Sequence, residues 1–232
     1  MAKQAAYIVG AGGGLSASLA TRFAREGMQV ALGARNTDKL AELVRASGAR
    51  AYPCDVGKRA EVERFFQRAA ADIGEPDIVV FNPSYRTRGP IAELDPAEVE
   101  KALMISCFGG FLVGQQAAKR MLARGGGSIL FTGASASVKG FPLSASFAMG
   151  KFGLRGLAQS MARELAPKNI HVAHFVIDGG IRQGPADARG GARGEDGLLE
   201  PDAIAETYLQ VHRQHRSAWT WEIELRPWVE KF

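Results

Sequence analysis

Apolar positions along the chain follow two alternating rhythms. Short runs of aliphatic and β-branched residues, such as Tyr7-Ile8-Val9, Val30-Ala31-Leu32, Asp77–Phe81 and Val172–Ile177, read as strands. Between them apolar residues recur every three or four positions, as at Leu15, Leu19 and Phe23, which predicts helices with one buried face. Gly27 stands where the first helix should stop. Thr37 and Asp38 are N-cap candidates for a helix carrying Leu40, Leu43 and Val44. Ala51–Val56 predicts a third strand and Lys58–Ile73 a third helix. Asp95-Pro96-Ala97-Glu98 opens a long helix with an acidic first turn, which suits the helix dipole, and Gly125-Gly126-Gly127 ends it. Ile129-Leu130-Phe131, a helix from about Ser144 to Ala166, and Glu222–Leu225 complete the series.

Strands that alternate with long helices predict βαβ units. The expected fold class is therefore α/β, a doubly wound parallel sheet of about seven strands with helices on both faces. Residues 1–232 are expected to form a single domain. One segment breaks the rhythm: from Arg182 to Gly197 there is little periodicity and much Gly, Ala and Arg. Lying beyond the Val172–Ile177 strand, where open α/β sheets bind ligands, it is expected to be a mobile lid.

Composition narrows the classes. With 46% hydrophobic and 23% charged residues, the chain is neither disordered nor fibrous. A net charge of +5 favours anionic partners, but the basic residues are scattered, without interleaved aromatics, so no nucleic-acid partner is expected. Cys54 and Cys107 cannot form a disulfide framework, and their scarcity points to a reducing, cytoplasmic setting. The uncharged stretch from Ala102 to Ala118 contains Gly109, Gly110, Gln115 and Gln116, so a buried helix fits it better than a membrane span. No cluster of metal-ligand residues or nucleophile–base pair stands out.

The chemistry-bearing pattern begins between the first strand and first helix, at Gly10-Ala11-Gly12-Gly13-Gly14-Leu15-Ser16. Such a turn lets backbone amides and a helix N-terminus approach a pyrophosphate, where side chains would obstruct it. The spacing of Gly10, Gly14 and Ser16 resembles the G-x-x-x-G-x-G turn of short-chain dehydrogenases/reductases, with Ser in place of the last Gly. Asp55-Val56 at the end of the third strand, Asn82 after the fourth and Asp178-Gly179-Gly180-Ile181 near the sixth are similar to further motifs of that family. At the end of the second strand the chain reads Gly33-Ala34-Arg35-Asn36, with no acidic residue for a ribose hydroxyl. Arg35 suits a 2′-phosphate, which favours NADP(H) over NAD(H).

The resemblance implies a Rossmann-type fold that transfers a hydride between NADP(H) and a small carbonyl or alcohol. It assigns Gly10, Gly12, Gly13, Gly14, Leu15, Arg35, Asp55, Val56, Asn82, Lys151 and Ile181 to the cofactor. A homodimer or homotetramer is implied as well, through the central helix and the helix carrying Lys151. The family's proton chemistry does not carry over intact. Its Y-x-x-x-K window reads Phe147-Ala148-Met149-Gly150-Lys151, its Ser falls on Ala134, and its central-helix Asn falls on Ser106. Lys151 remains, with Ser135 and Tyr85 as candidate replacements for the missing proton donor. The competing expectation is an NADP(H)-binding pseudoenzyme that serves as a sensor, scaffold or oligomer partner.

Overall fold

A computed structural model describes residues 3–184 and 187–230. Its sheet has seven parallel strands: β1 (Ala5–Val9), β2 (Gln29–Ala34), β3 (Arg50–Pro53), β4 (Ile78–Phe81), β5 (Gly127–Thr132), β6 (Ile170–Ile177) and β7 (Glu222–Leu225). Their order is β3-β2-β1-β4-β5-β6-β7. The α/β doubly wound sheet expected from the periodicity is therefore present. Successive strands are added to one side of β1 up to β3 and to its other side from β4 onward, which makes the gap between β1 and β4 the switch point where ligands enter such folds.

Strand residues alternate between two cores. Tyr7, Val9, Val79 and Phe81 point to one side, where α3 (Arg59–Ile73), α5 (Gly109–Arg124) and α6 (Ala145–Leu165) cover the sheet. Ala6, Ile8, Ile78 and Val80 point to the other, under α1 (Leu15–Arg25), α2 (Ala41–Ser47) and α8 (Pro201–His212). Because both faces are covered, the inner strands β1, β4 and β6 are buried along their whole length, whereas edge strand β7, Glu222–Leu225, alternates polar and apolar residues.

Two local features differ from expectation. The predicted long helix is α4 (Pro96–Leu103) followed by a π-helical turn, Met104–Phe108, and then α5. The Asp95 side chain caps α4 through the Ala97 amide at 3.0 Å. Neither Thr37 nor Asp38 caps the second helical segment by its side chain; Asn36 Oδ1 accepts from the Asp38 amide at 3.0 Å instead. The segment 182–197 contains a short helix, α7 (Arg189–Arg193), and an isolated bridge between Ile181 and Leu199 flanks it. Residues 185 and 186 of that segment, and residues 1, 2, 231 and 232 of the expected domain, lie outside the described residues. Among the described residues no helix is long and apolar enough to cross a membrane, and no group of side chains is arranged to hold a metal ion.

Candidate functional site

The glycine turn is built by constraints on both of its sides. Gly10 has a φ of 83°, and a Cβ there would lie 2.6 Å from the Pro83 nitrogen, so only glycine fits. The Gly10 and Ala11 amides both donate to the Gly33 carbonyl at 2.9 Å, which fastens the turn to β2. Buried Ser16 donates its hydroxyl to the Gly10 carbonyl at 3.1 Å and accepts from Asn82 Nδ2 at 2.8 Å. Gly12 and Gly13 face open space, and the amides of Gly12, Gly13 and Gly14 donate to no acceptor among the described residues. The Leu15 side chain is buried in the α1 core, so only its backbone belongs to the turn.

Two adjoining clefts open at the carboxyl ends of the strands. The narrower, about 330 Å³, is lined by Gly10, Arg35, Asp55, Val56 and Asn82, among others. Arg35 is exposed at the end of β2 and has no carboxylate partner among the described residues. Asp55 shapes the loop before α3, its Oδ1 accepting from the Gly57 amide at 3.0 Å. Val56 is buried against Gly109, where a Cβ would come within 2.9 Å of it. The wider cleft, about 730 Å³, shares Asn82 and Ser84 with the first. Lys151, Ser135 and Ile181 all line it.

Lys151 is 2% exposed, and its ammonium donates to the Thr132 carbonyl at 2.8 Å. Burial without a carboxylate pushes its pKa down to about 8. Phe147 lies one helical turn earlier, its ring 5.9 Å from Lys151 Nζ and 4.9 Å from the Arg86 guanidinium carbon. The Ser135 hydroxyl makes no hydrogen bond among the described residues. Its neighbour Ser137 is committed, accepting from the Ala134 amide at 3.1 Å.

Tyr85 is not brought to this group. Its phenol donates to Glu98 and accepts from Lys101 Nζ at 3.1 Å, so it is held against α4 outside the lining of either cleft. His174, wholly buried on β6, shares Glu222 with Arg155 and supports the sheet behind the cleft. Sequence reading overlooked Arg86 and Arg88, which line the wider cleft from the loop after β4. Their i, i+2 spacing was the available signal.

Residues 4–182 match the family model for short chain dehydrogenase. The chain belongs to this family. It is 32% identical over 217 residues to a cis-4-hydroxycyclohexanecarboxylate dehydrogenase of Sinomonas cyclohexanicum, covering 88% of this chain and 87% of that one. It is 31% identical over 172 residues to the D-threitol dehydrogenase of Mycolicibacterium smegmatis, covering 72% and 66%. Among solved structures, a short-chain dehydrogenase from Rhodopseudomonas palustris shares 40% identity with a TM-score of 0.82, over 97% of this chain and 99% of that one. An actinorhodin polyketide ketoreductase crystallised with NADPH shares the fold alone, at 23% identity, a TM-score of 0.87 and full coverage of both chains.

Short-chain dehydrogenases are oxidoreductases that bind nicotinamide cofactors. The residues of this short-chain dehydrogenase fit such a group. Its glycine turn offers unused amides at the N-terminus of α1, with no side chain in front of Gly12 or Gly13. A guanidinium and a carboxylate line the adjoining cleft.

Proposed function

We propose that the protein transfers a hydride between NADP(H) and a small carbonyl or alcohol, with a proton donor other than tyrosine. The observation that carries this reading is the continuity of the two clefts through Asn82, with Arg35 in one and buried Lys151 in the other. The amides of Gly12 to Gly14, and the backbone at Leu15, would hold the pyrophosphate, and Arg35 the 2′-phosphate. Asp55 and Val56 would border the adenine, while Lys151 and Ile181 would hold the nicotinamide end. The cofactor, when bound, supplies the hydride.

Phe147 and Ala134 occupy the family's Tyr and Ser positions in this reading, so the proton must come from elsewhere. Ser135, a hydroxyl on the wider cleft with no hydrogen bond among the described residues, would donate the proton, and the Lys151 ammonium, softened by burial to a pKa of about 8, would recharge it. Tyr85 drops out because its phenol is tied to Glu98 and Lys101.

One observation favours a second reading, an NADP(H)-binding pseudoenzyme: the Phe147 ring beside Lys151 has no proton to exchange. Fluorescence titration with NADPH and with NADH tests both readings. NADPH-selective binding, followed by oxidation of bound NADPH by a carbonyl compound, supports the enzyme; selective binding without turnover across a broad carbonyl panel supports the pseudoenzyme. Failure to bind either nucleotide overturns both.

A homodimer or homotetramer belongs to the same proposal. Phe108 and Phe111 stack at a centroid distance of 5.8 Å at the start of α5, and Met149 and Phe152 lie exposed on α6. Light scattering on the purified protein tests this, a monomer being the overturning result.

A further inference from the structure

The wider cleft carries a charge imbalance that hydride transfer does not use. Among the described residues six basic side chains line it, Arg86, Arg88, Lys139, Lys151, Arg189 and Arg193, against two acidic ones, Asp178 and Glu230. Three of the six are already engaged with carboxylates. Lys139 reaches Asp178 at 3.5 Å, Arg189 pairs with Asp187 at 2.6 Å, and Arg193 with Glu230 at 3.3 Å. Lys151 is turned onto the Thr132 carbonyl. Arg86 and Arg88 remain, with no carboxylate partner among the described residues.

The loop holding them is fixed at three points. The Tyr85 amide donates to Ser106 Oγ at 3.2 Å, Ser146 Oγ donates to the Thr87 carbonyl at 2.8 Å, and the Gly89 amide donates to the Leu143 carbonyl at 3.2 Å. Burial alternates along this stretch, with Tyr85, Thr87 and Gly89 partly covered and Arg86 and Arg88 exposed. Alternation of that kind sends both arginines to one side, the side of the cleft. Arg86 is further held over the Phe147 ring, at 4.9 Å. An anion gripped by this pair would therefore sit next to the ring that Lys151 also borders, at the reacting end of the cleft.

We propose that Arg86 and Arg88 grip an oxyanion group, a carboxylate or a phosphate, on the carbonyl or alcohol substrate. The identity of the reacting carbon rests on the oxidoreductase reading above; the anion grip rests on the arginines alone. Paired guanidinium donors suit a planar or tetrahedral oxyanion, and a cleft with low-dielectric walls strengthens the attraction.

The test is calorimetric titration of a panel of short oxo acids, each beside its own methyl ester, into the protein with and without NADPH. At least one acid should bind about tenfold or more tighter than its ester, the scale of one charge-assisted hydrogen bond. Arg86→Gln and Arg88→Gln should each erase most of that difference, while Arg163→Gln, exposed on α6 away from the cleft, should leave it unchanged. NADPH affinity should be unaltered in all three, which also reports that they fold. Inorganic phosphate serves as competitor: displacement of the acid assigns a phosphate-bearing substrate, and persistence of the acid assigns a carboxylate. Equal binding of every acid and its ester overturns the proposal, as does an acid preference that survives both arginine substitutions. A protein that fails to bind NADPH but keeps the acid preference refutes the cofactor reading and leaves the anion grip standing.

Discussion

Asn82 donates its side-chain amide to the Ser16 hydroxyl at 2.8 Å, across 66 residues of sequence. Ser16 in turn donates to the Gly10 carbonyl, so the end of β4 holds the glycine turn from its carbonyl side. The opposite side, where the amides of Gly12 to Gly14 lie, has no partner among the described residues. Ser16→Ala would strip Asn82 and Gly10 of this bond inside the protein. A loss of about 1–3 kcal/mol is expected in urea unfolding, together with weaker NADPH binding. A variant with unchanged stability would show that the bond contributes nothing to holding the turn.

Arg35→Asp should separate the two nicotinamide cofactors. The substitution replaces an exposed guanidinium, without a carboxylate partner among the described residues, with a carboxylate suited to a ribose hydroxyl. NADPH affinity should fall roughly tenfold to a hundredfold, the scale of a lost charge-assisted bond, while NADH affinity holds or improves. Parallel fluorescence titrations give the answer, and equal losses for both nucleotides would remove Arg35 from the phosphate role.

Phe147→Tyr introduces a phenol one helical turn from the Lys151 ammonium. Carbonyl reduction should rise by a factor of about 10² to 10⁴, the usual worth of a positioned general acid. Its rate should carry a new pH dependence, falling as the phenol ionises. The measurement is single-turnover oxidation of NADPH across a pH series. Absence of any gain, with NADPH still bound, would show that the hydroxyl is not what this site lacks.

Acid should weaken the fold through two imidazoles. Burial pushes His174 and His212 down to about 4, whereas exposed imidazoles titrate near 6.5. Between these values the unfolded chain binds protons that the folded one refuses, so stability falls as pH drops through that window. Each histidine accounts for up to about 3 kcal/mol by its lower end. Urea unfolding across this range should show a shallower pH slope for the His174→Gln, His212→Gln double variant. Parallel slopes would assign acid lability to other groups.

The sheet was legible because its inner strands are buried on both faces. Runs such as Ile78–Phe81 are wholly apolar, and the glycines and caps that flank them announce where chain direction changes. Lys151 was legible for a related reason, since a helix of known phase ties its direction to that of Phe147, four residues earlier. Tyr85 was not. Its direction depends on Glu98 and Lys101, which reach it only after α4 has folded back over the loop. Arg86 and Arg88 were hidden in the same way, because the bonds that aim them come from Ser106, Leu143 and Ser146 on distant elements.

The π-helical turn Met104–Phe108 sets the phase between two helices that would otherwise run as one. An α-helix turns by about 100° per residue, and a π turn takes up one residue more than an α turn. Beyond it, α5 is therefore rotated by about that angle from the course α4 would have continued. The rotation lets α4 face the Tyr85 loop through Glu98 and Lys101, while α5 turns Gly109, Gly110 and Gly114 toward Val56, Leu154 and Met161. The turn acts as a gear between the Tyr85 loop and the core of the molecule. Removing one residue from it would leave both helices intact and aim one of them the wrong way.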